Sequence, residues 1–193
     1  MDSPGNITRL ILEWQRGGEL AENALFEAVY QRIHGIALHL VRGEARGQSM
    51  GATDLVHEAY LRFRRSERLE VTDSSHFLRL AARVMRQILV DRARARRASK
   101  RQGDVRLETH EMAGLVFPDA EAEEIIAVDR ALNKLAQRSP RLAEVVELRY
   151  FAEFSEQEAA EILGVSSRTV RRDWSLARVR LREEIDGGTA AVS

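Results

Sequence analysis

The chain has 193 residues, 44% of them apolar and 6% aromatic, with no cysteine and with 30 basic residues balanced by 30 acidic ones. That length allows one medium domain or two small ones with packed cores, and the scarcity of aromatics favours helices packed through Leu, Val, Ile and Ala over a β-sandwich. Without cysteine there are no disulfide staples and no thiolate metal sites, the polar start lacks a secretory signal, and no apolar run approaches the roughly 20 residues that cross a bilayer, so a cytoplasmic protein without membrane contact is expected.

Ile7, Leu10, Ile11 and Trp14 predict a short amphipathic helix that Gly17 and Gly18 end. A longer helix follows, with Phe26, Val29, Tyr30, Ile33, Ala37 and Leu40 on one face. After a polar, glycine-bearing connection from Gly43 to Gly51, Thr53 or Asp54 can cap a helix that runs to about Arg65. A long helix is expected from Phe77 to about Arg101. The stretch from Gly103 to Ala120 has poor periodicity and one proline, Pro118, which reads as a linker. Beyond it, Ile125, Val128, Leu132 and Leu135 form one helix. Ser139-Pro140 opens another, populated by Leu142, Val145, Val146 and Leu148. With no convincing strand alternation and no internal repeat, the fold class is all-α.

The final helices carry the clearest local grammar. Ser155-Glu156-Gln157-Glu158 is a capping box, Gly164 supplies a left-handed C′ position, and Ser166 is a second N-cap. Val170, Trp174, Ala177, Leu181 and Ile185 then make a buried stripe, and on a wheel of ~100° per residue Arg168, Arg171, Arg172, Ser175 and Arg182 lie opposite it. Two helices joined by a tight glycine turn, the second cationic on its open face, follow the helix-turn-helix plan, in which the second helix enters the major groove. The plainer alternative is a solvated arginine face on an ordinary helical hairpin.

The zero net charge conceals segregation. Arg79 to Arg106 contains ten bases against Asp91 and Asp104, a net of +8, and Leu107 to Arg130 contains seven acids against Arg130, a net of −6. A basic block of that density is a footprint for a polyanion, because each neutralised phosphate releases counterions. One further anomaly lies on the helix from Asp54 to Arg65. Ala52, Leu55, Val56, Ala59, Tyr60 and Phe63 cover one side, while Asp54, His57, Glu58 and Leu61 share the other. A leucine between carboxylates is a candidate anchor for a partner protein, although single exposed leucines are common.

Catalytic readings fare poorly. His57-Glu58 begins like H-E-x-x-H, but Leu61 stands at the second ligand position. His34 and His39 are five residues apart, off the spacing that aligns two ligands, and His76 and His110 lack ligand-type neighbours. No phosphate loop or nucleophile elbow is present. The chain is expected to be no enzyme, with no cofactor and no metal.

Three segments together resemble a known family. Asp54-Leu-Val-His-Glu-Ala-Tyr-Leu-Arg-Phe63 looks like region 2.2 of the sigma-70 class of sigma factors. His76-Phe-Leu-Arg-Leu-Ala-Ala-Arg83, continuing through Ile88-Leu-Val-Asp-Arg-Ala-Arg-Ala-Arg-Arg97, is similar to regions 2.3 and 2.4. Leu148-Arg-Tyr-Phe-Ala-Glu-Phe-Ser-Glu-Gln-Glu-Ala-Ala-Glu-Ile-Leu-Gly-Val-Ser166, with Arg168-Thr-Val170, resembles region 4. The pattern is that of the small extracytoplasmic-function (ECF) group, which keeps only domains 2 and 4. It departs at Ala82-Arg83-Val84, where many members carry Ala-Arg-Asn, and at Trp174, which is bulky for the stripe.

The resemblance implies a transcription initiation subunit built as two small helical domains: residues 1–102 as region 2 with a short N-terminal helix, 103–120 as a flexible linker, 121–186 as region 4, and 187–193 as a flexible tail. It implies that Asp54, His57, Glu58 and Leu61 bind the clamp helices of the largest subunit of core RNA polymerase, and that the flap is a further contact. It assigns the −10 promoter element to His76, Phe77, Arg79, Arg83, Arg86 and Arg92, with an unstacked base resting on an aromatic face. It assigns the −35 element to Ser167, Arg168, Thr169, Arg171, Arg172 and Ser175. Promoter DNA is thus the second partner, and an anti-sigma factor or a kinase-linked regulator a third. Two other classes remain open on the residues alone: a conventional dimeric helix-turn-helix regulator, and a helical adaptor or anti-sigma-like protein that binds protein only.

Overall fold

The computed structural model describes residues 4–16, 19–41, 51–65, 71–101 and 119–189, and among these every regular element is helical. Four helices come first: α1 (Pro4–Gln15), α2 (Glu19–Val41), α3 (Ala52–Arg65) and α4 (Ser74–Arg101). Residues 43–50 of the glycine-bearing connection and 103–118 of the linker lie outside the described residues. The remaining helices are α5 (Asp119–Arg138), α6 (Pro140–Val146), α7 (Glu156–Leu163) and α8 (Ser167–Thr189), with a π-helical turn, Glu147–Phe151, between α6 and α7.

Helix starts are set by side chains that satisfy the orphan amides of the first turn. The Asp73 carboxylate accepts from the His76 amide at 2.9 Å, so α4 begins at Ser74, three residues before the expected Phe77. Burial works against the Asp73 anion, but the His76 amide and the Thr72 hydroxyl outweigh it and hold its carboxyl below the usual aspartate value. At α3 the expected cap shifts by two or three residues: the helix opens at Ala52, and the Asp54 carboxylate accepts from the Gly51 amide at 3.2 Å, which is the return half of a capping box. Pro140 stands at the start of α6 as expected, although there the Ser139 carbonyl rather than its hydroxyl takes the free amides of Leu142 and Ala143.

The first four helices enclose an apolar centre in which Ile11, Leu25, Ile33, Leu55, Met85 and Ile88 are fully buried. Phe77 is the aromatic hub, its ring lying 6.3 Å from Trp14, 6.1 Å from Phe26 and 5.6 Å from Phe63. This corrects its expected role, since a fully buried ring at the middle of an aromatic cluster has no free face on which a base can stack. Tyr30, expected on the core face of α2, is instead 38% exposed and stacks on His34. The bounds also move at the far end, where Asp119 and Ala120 belong to α5 and Gly187 to Thr189 continue α8.

The second set of helices packs on the first. The α4–α5 contact is the most extensive between any two helices described, and buried residues of both sets join in one continuous apolar cluster. The basic face of α4, read from the sequence as a footprint for a polyanion, is therefore partly covered.

Candidate nucleic-acid and polymerase interfaces

The α7–α8 unit is built as its sequence dictates. Ser155 Oγ accepts from the Glu158 amide at 3.2 Å while the Glu158 carboxylate accepts from the Ser155 amide at 2.7 Å. Gly164 ends α7 at φ 64°, and Ser166 Oγ accepts from the Thr169 amide at 3.2 Å to start α8. The first turns of α8 face solvent. Arg168, Arg171, Arg172 and Ser175 are exposed and Ser167 and Thr169 half-buried, and Ser167, Arg168 and Thr169 lie in the first turn, at the positive end of the helix dipole, where phosphate is also favoured.

Two of these arginines are held by carboxylates. Arg171 is bound to Glu156 of α7 at 2.8 Å; the guanidinium draws the Glu156 carboxyl below its ordinary value, and the carboxylate raises Arg171 in return. Arg172 lies against Asp173, whose other oxygen is 2.8 Å from Arg141 of α6. Asp173 is only 2% exposed, although both of its arginines face water. Neither Asp173 nor Arg141 was singled out from the sequence. The available signal was an acid beside Trp174 on the apolar stripe, and Trp174 itself is only half-buried.

On α3, Asp54 and His57 are exposed while Glu58 and Leu61 are half-buried, so the four residues of the expected partner face do share one side. This side is tied to α4: Arg62 donates to Asp91 at 3.1 Å, and Arg92 lies 3.8 Å from Glu58.

Five arginines of α4 form a stripe that Val90 interrupts. Arg79, Arg83, Arg86, Val90, Arg94 and Arg97 recur at spacings of four, three, four, four and three, one helical face. His76, Arg79 and Arg83 line a cleft of about 310 Å³ whose opposite wall is Pro140, Ala143, Glu144 and Glu147. Arg86 is buried, with one nitrogen 3.1 Å from Asp129, another 3.1 Å from Glu147, and its guanidinium over the Phe151 ring. Of the six residues assigned to the −10 element, Phe77 is therefore in the core, Arg86 is in an ion-pair network, and Arg92, with 10% of its side chain exposed, lies against Glu58, while His76, Arg79 and Arg83 are partly or fully accessible.

A family model described as ECF sigma factor matches residues 4–187. The chain belongs to the ECF sigma factor family. No curated protein matches it. Sigma factors of this family act in transcription initiation as subunits of RNA polymerase, bind promoter DNA and anti-sigma factors, and are in general not enzymes. No helix among the described residues of this sigma factor is long and apolar enough to cross a membrane.

Proposed function

We propose that this sigma factor brings core RNA polymerase to a two-element promoter. The N-terminal half of α8 reads the −35 duplex through Ser167, Arg168, Thr169, Arg171, Arg172 and Ser175, with arginine suited to guanine edges or phosphate. On α4, His76 and the stripe residues Arg79, Arg83 and Arg86 hold the −10 strand as it opens, with Arg92, on the side of the helix toward α3, as a further contact. Asp54, His57, Glu58 and Leu61 of α3 dock on the clamp helices of the largest polymerase subunit, and the C-terminal helices meet the flap. The observation that carries this reading is the solvent-exposed arginine face over the first two turns of α8 on a fully capped helix-turn-helix.

The test is transcription in vitro with purified core enzyme. Added protein should give promoter-specific starts and co-migrate with core, and Leu61→Arg should abolish co-migration while leaving helix content by circular dichroism unchanged. Absence of both specific initiation and co-migration in the wild-type protein overturns the reading.

A further inference from the structure

Between the last turns of α4 and the middle of α5 lies a cleft of about 560 Å³, none of whose lining residues is assigned to promoter or polymerase. That volume is within the range of about 300–1,000 Å³ usual for small-molecule sites. Two cations face the cleft from each wall, Arg94 and Arg97 from α4 and Arg130 and Lys134 from α5. Asn133 adds an amide, Ile126 an apolar surface, and Asp129 is the one acid in the lining. We propose that this cleft binds a compact polyphosphate, the triphosphate group of a nucleotide or of an inorganic chain.

Charge is the first support. Four bases against one acid leave the lining at a net of +3, and the acid has little left to give. One oxygen of Asp129 accepts from Arg86 at 3.1 Å, and the other accepts from Arg94 at 3.2 Å and from Asn133 at 3.3 Å. Spacing is the second. Arg130 and Lys134 are four residues apart on one face of α5, and Arg94 and Arg97 three apart on α4, so each helix holds like charges side by side. Such pairs repel, and an anion between the walls relieves both. The cations also face one another across the cleft instead of standing in file along one helix, which suits a compact anion better than a strand. Donor supply is the third. Arg94 spends one terminal nitrogen on Asp129, Arg97 its Nε on Glu123 at 3.3 Å, and Lys134 one N–H on Glu184 at 3.0 Å. Arg130 meets no carboxylate among the described residues. The remaining N–H groups of the guanidinium forks match phosphate oxygens. The two outer pairs are open to water, with Glu123 60% and Lys134 46% exposed, and exposed pairs of this kind are weak enough to yield to a more highly charged anion.

The experiment is isothermal titration calorimetry of the full-length chain with inorganic triphosphate, with adenosine triphosphate and with orthophosphate, at one fixed salt concentration and without divalent metal. Both triphosphates should saturate at one per chain, with orthophosphate at least about tenfold weaker. Arg130→Ala/Lys134→Ala should weaken triphosphate binding about tenfold or more, the effect of losing a hydrogen bond to a charged group, and leave helix content by circular dichroism unchanged. Equal affinity for the two triphosphates means that the phosphate chain alone is read, and tighter binding of adenosine triphosphate means that the Ile126 side also takes the base; either result supports the site. Absence of saturable binding overturns it, as does orthophosphate binding as tightly as triphosphate, or a double variant that binds as the wild type does. A short fluorescein-labelled single-stranded DNA, followed by anisotropy, should bind wild type and double variant alike. If it weakens by the same factor as triphosphate, the four cations belong to the DNA surface and the proposal falls. If the double variant loses helix content, Arg130→Gln, at a residue without an ion pair among those described, is held to the same outcomes.

Discussion

Asp173 offers the sharpest test of how α8 is held. Its carboxylate is 2% exposed, yet Arg141 and Arg172, which neutralise it, have side chains 54% and 69% exposed. Removing the acid returns two guanidiniums to water they already touch, so Asp173→Ala should cost only about 1 kcal/mol for the lost α6–α8 tie. Removing both arginines strands a buried anion. Complete loss of a partner from a buried pair costs roughly 3–5 kcal/mol, and the wet side of this site lowers the expectation for Arg141→Ala/Arg172→Ala to about 2–3 kcal/mol. Adding Asp173→Ala to that double variant should then recover stability rather than lose more, which is the signature of an uncompensated charge. Urea unfolding followed by circular dichroism reads all three. If the double variant is no less stable than Asp173→Ala, or the triple variant is less stable than the double, the carboxylate is not a buried charge in need of its arginines and the reasoning fails.

Phe77→Ala should cost about 3–5 kcal/mol in the same assay, because it empties the centre of an aromatic cluster; a variant of wild-type stability with a selective −10 defect would return Phe77 to the DNA surface. Gly164→Ala should lower stability by about 1 kcal/mol, measured as a shift in the urea midpoint, since φ is 64° and nothing lies within 4 Å of the added Cβ, leaving backbone strain as the whole cost. In acid, burial opposes the Glu158 anion, but the Ser155 hydroxyl and amide and Arg32 outweigh it and depress its carboxyl below 4.5. A depressed carboxylate stabilises the fold fully above its unfolded value and loses that contribution as pH falls through its folded one. The stability difference between wild type and Glu158→Gln should therefore be full above pH 4.5 and shrink below it, as followed by urea midpoints across an acid series.

What could be read from the sequence was local. The caps at Ser155, Gly164 and Ser166 and the proline at the start of α6 act within four residues, and each element they define is where their chemistry puts it. The arginine face of α8 was legible for the same reason, being a matter of helical spacing. Three features were not. The role of Asp173 depends on Arg141, thirty-two positions away on another helix, and spacing along α8 cannot supply that partner. Phe77 stands where an aromatic can either serve DNA or fill a core, and only the convergence of Trp14, Phe26 and Phe63 decides it. The π turn from Glu147 to Phe151 leaves no periodic mark, because one widened turn shifts register without changing residue types.

The segregated charge acquires a meaning once Arg86 is placed. A lysine at that position could satisfy one carboxylate as a point charge, but the planar fork of arginine reaches Asp129 with one nitrogen and Glu147 with another while its face covers Phe151. The two carboxylates present to this fork a divided negative charge that its planar geometry matches. The balance of basic and acidic residues over the whole chain is then more than a matter of solubility. Removing the acids of α5 and the π turn would leave α4 a permanently cationic rod, attracted to any nucleic acid regardless of sequence.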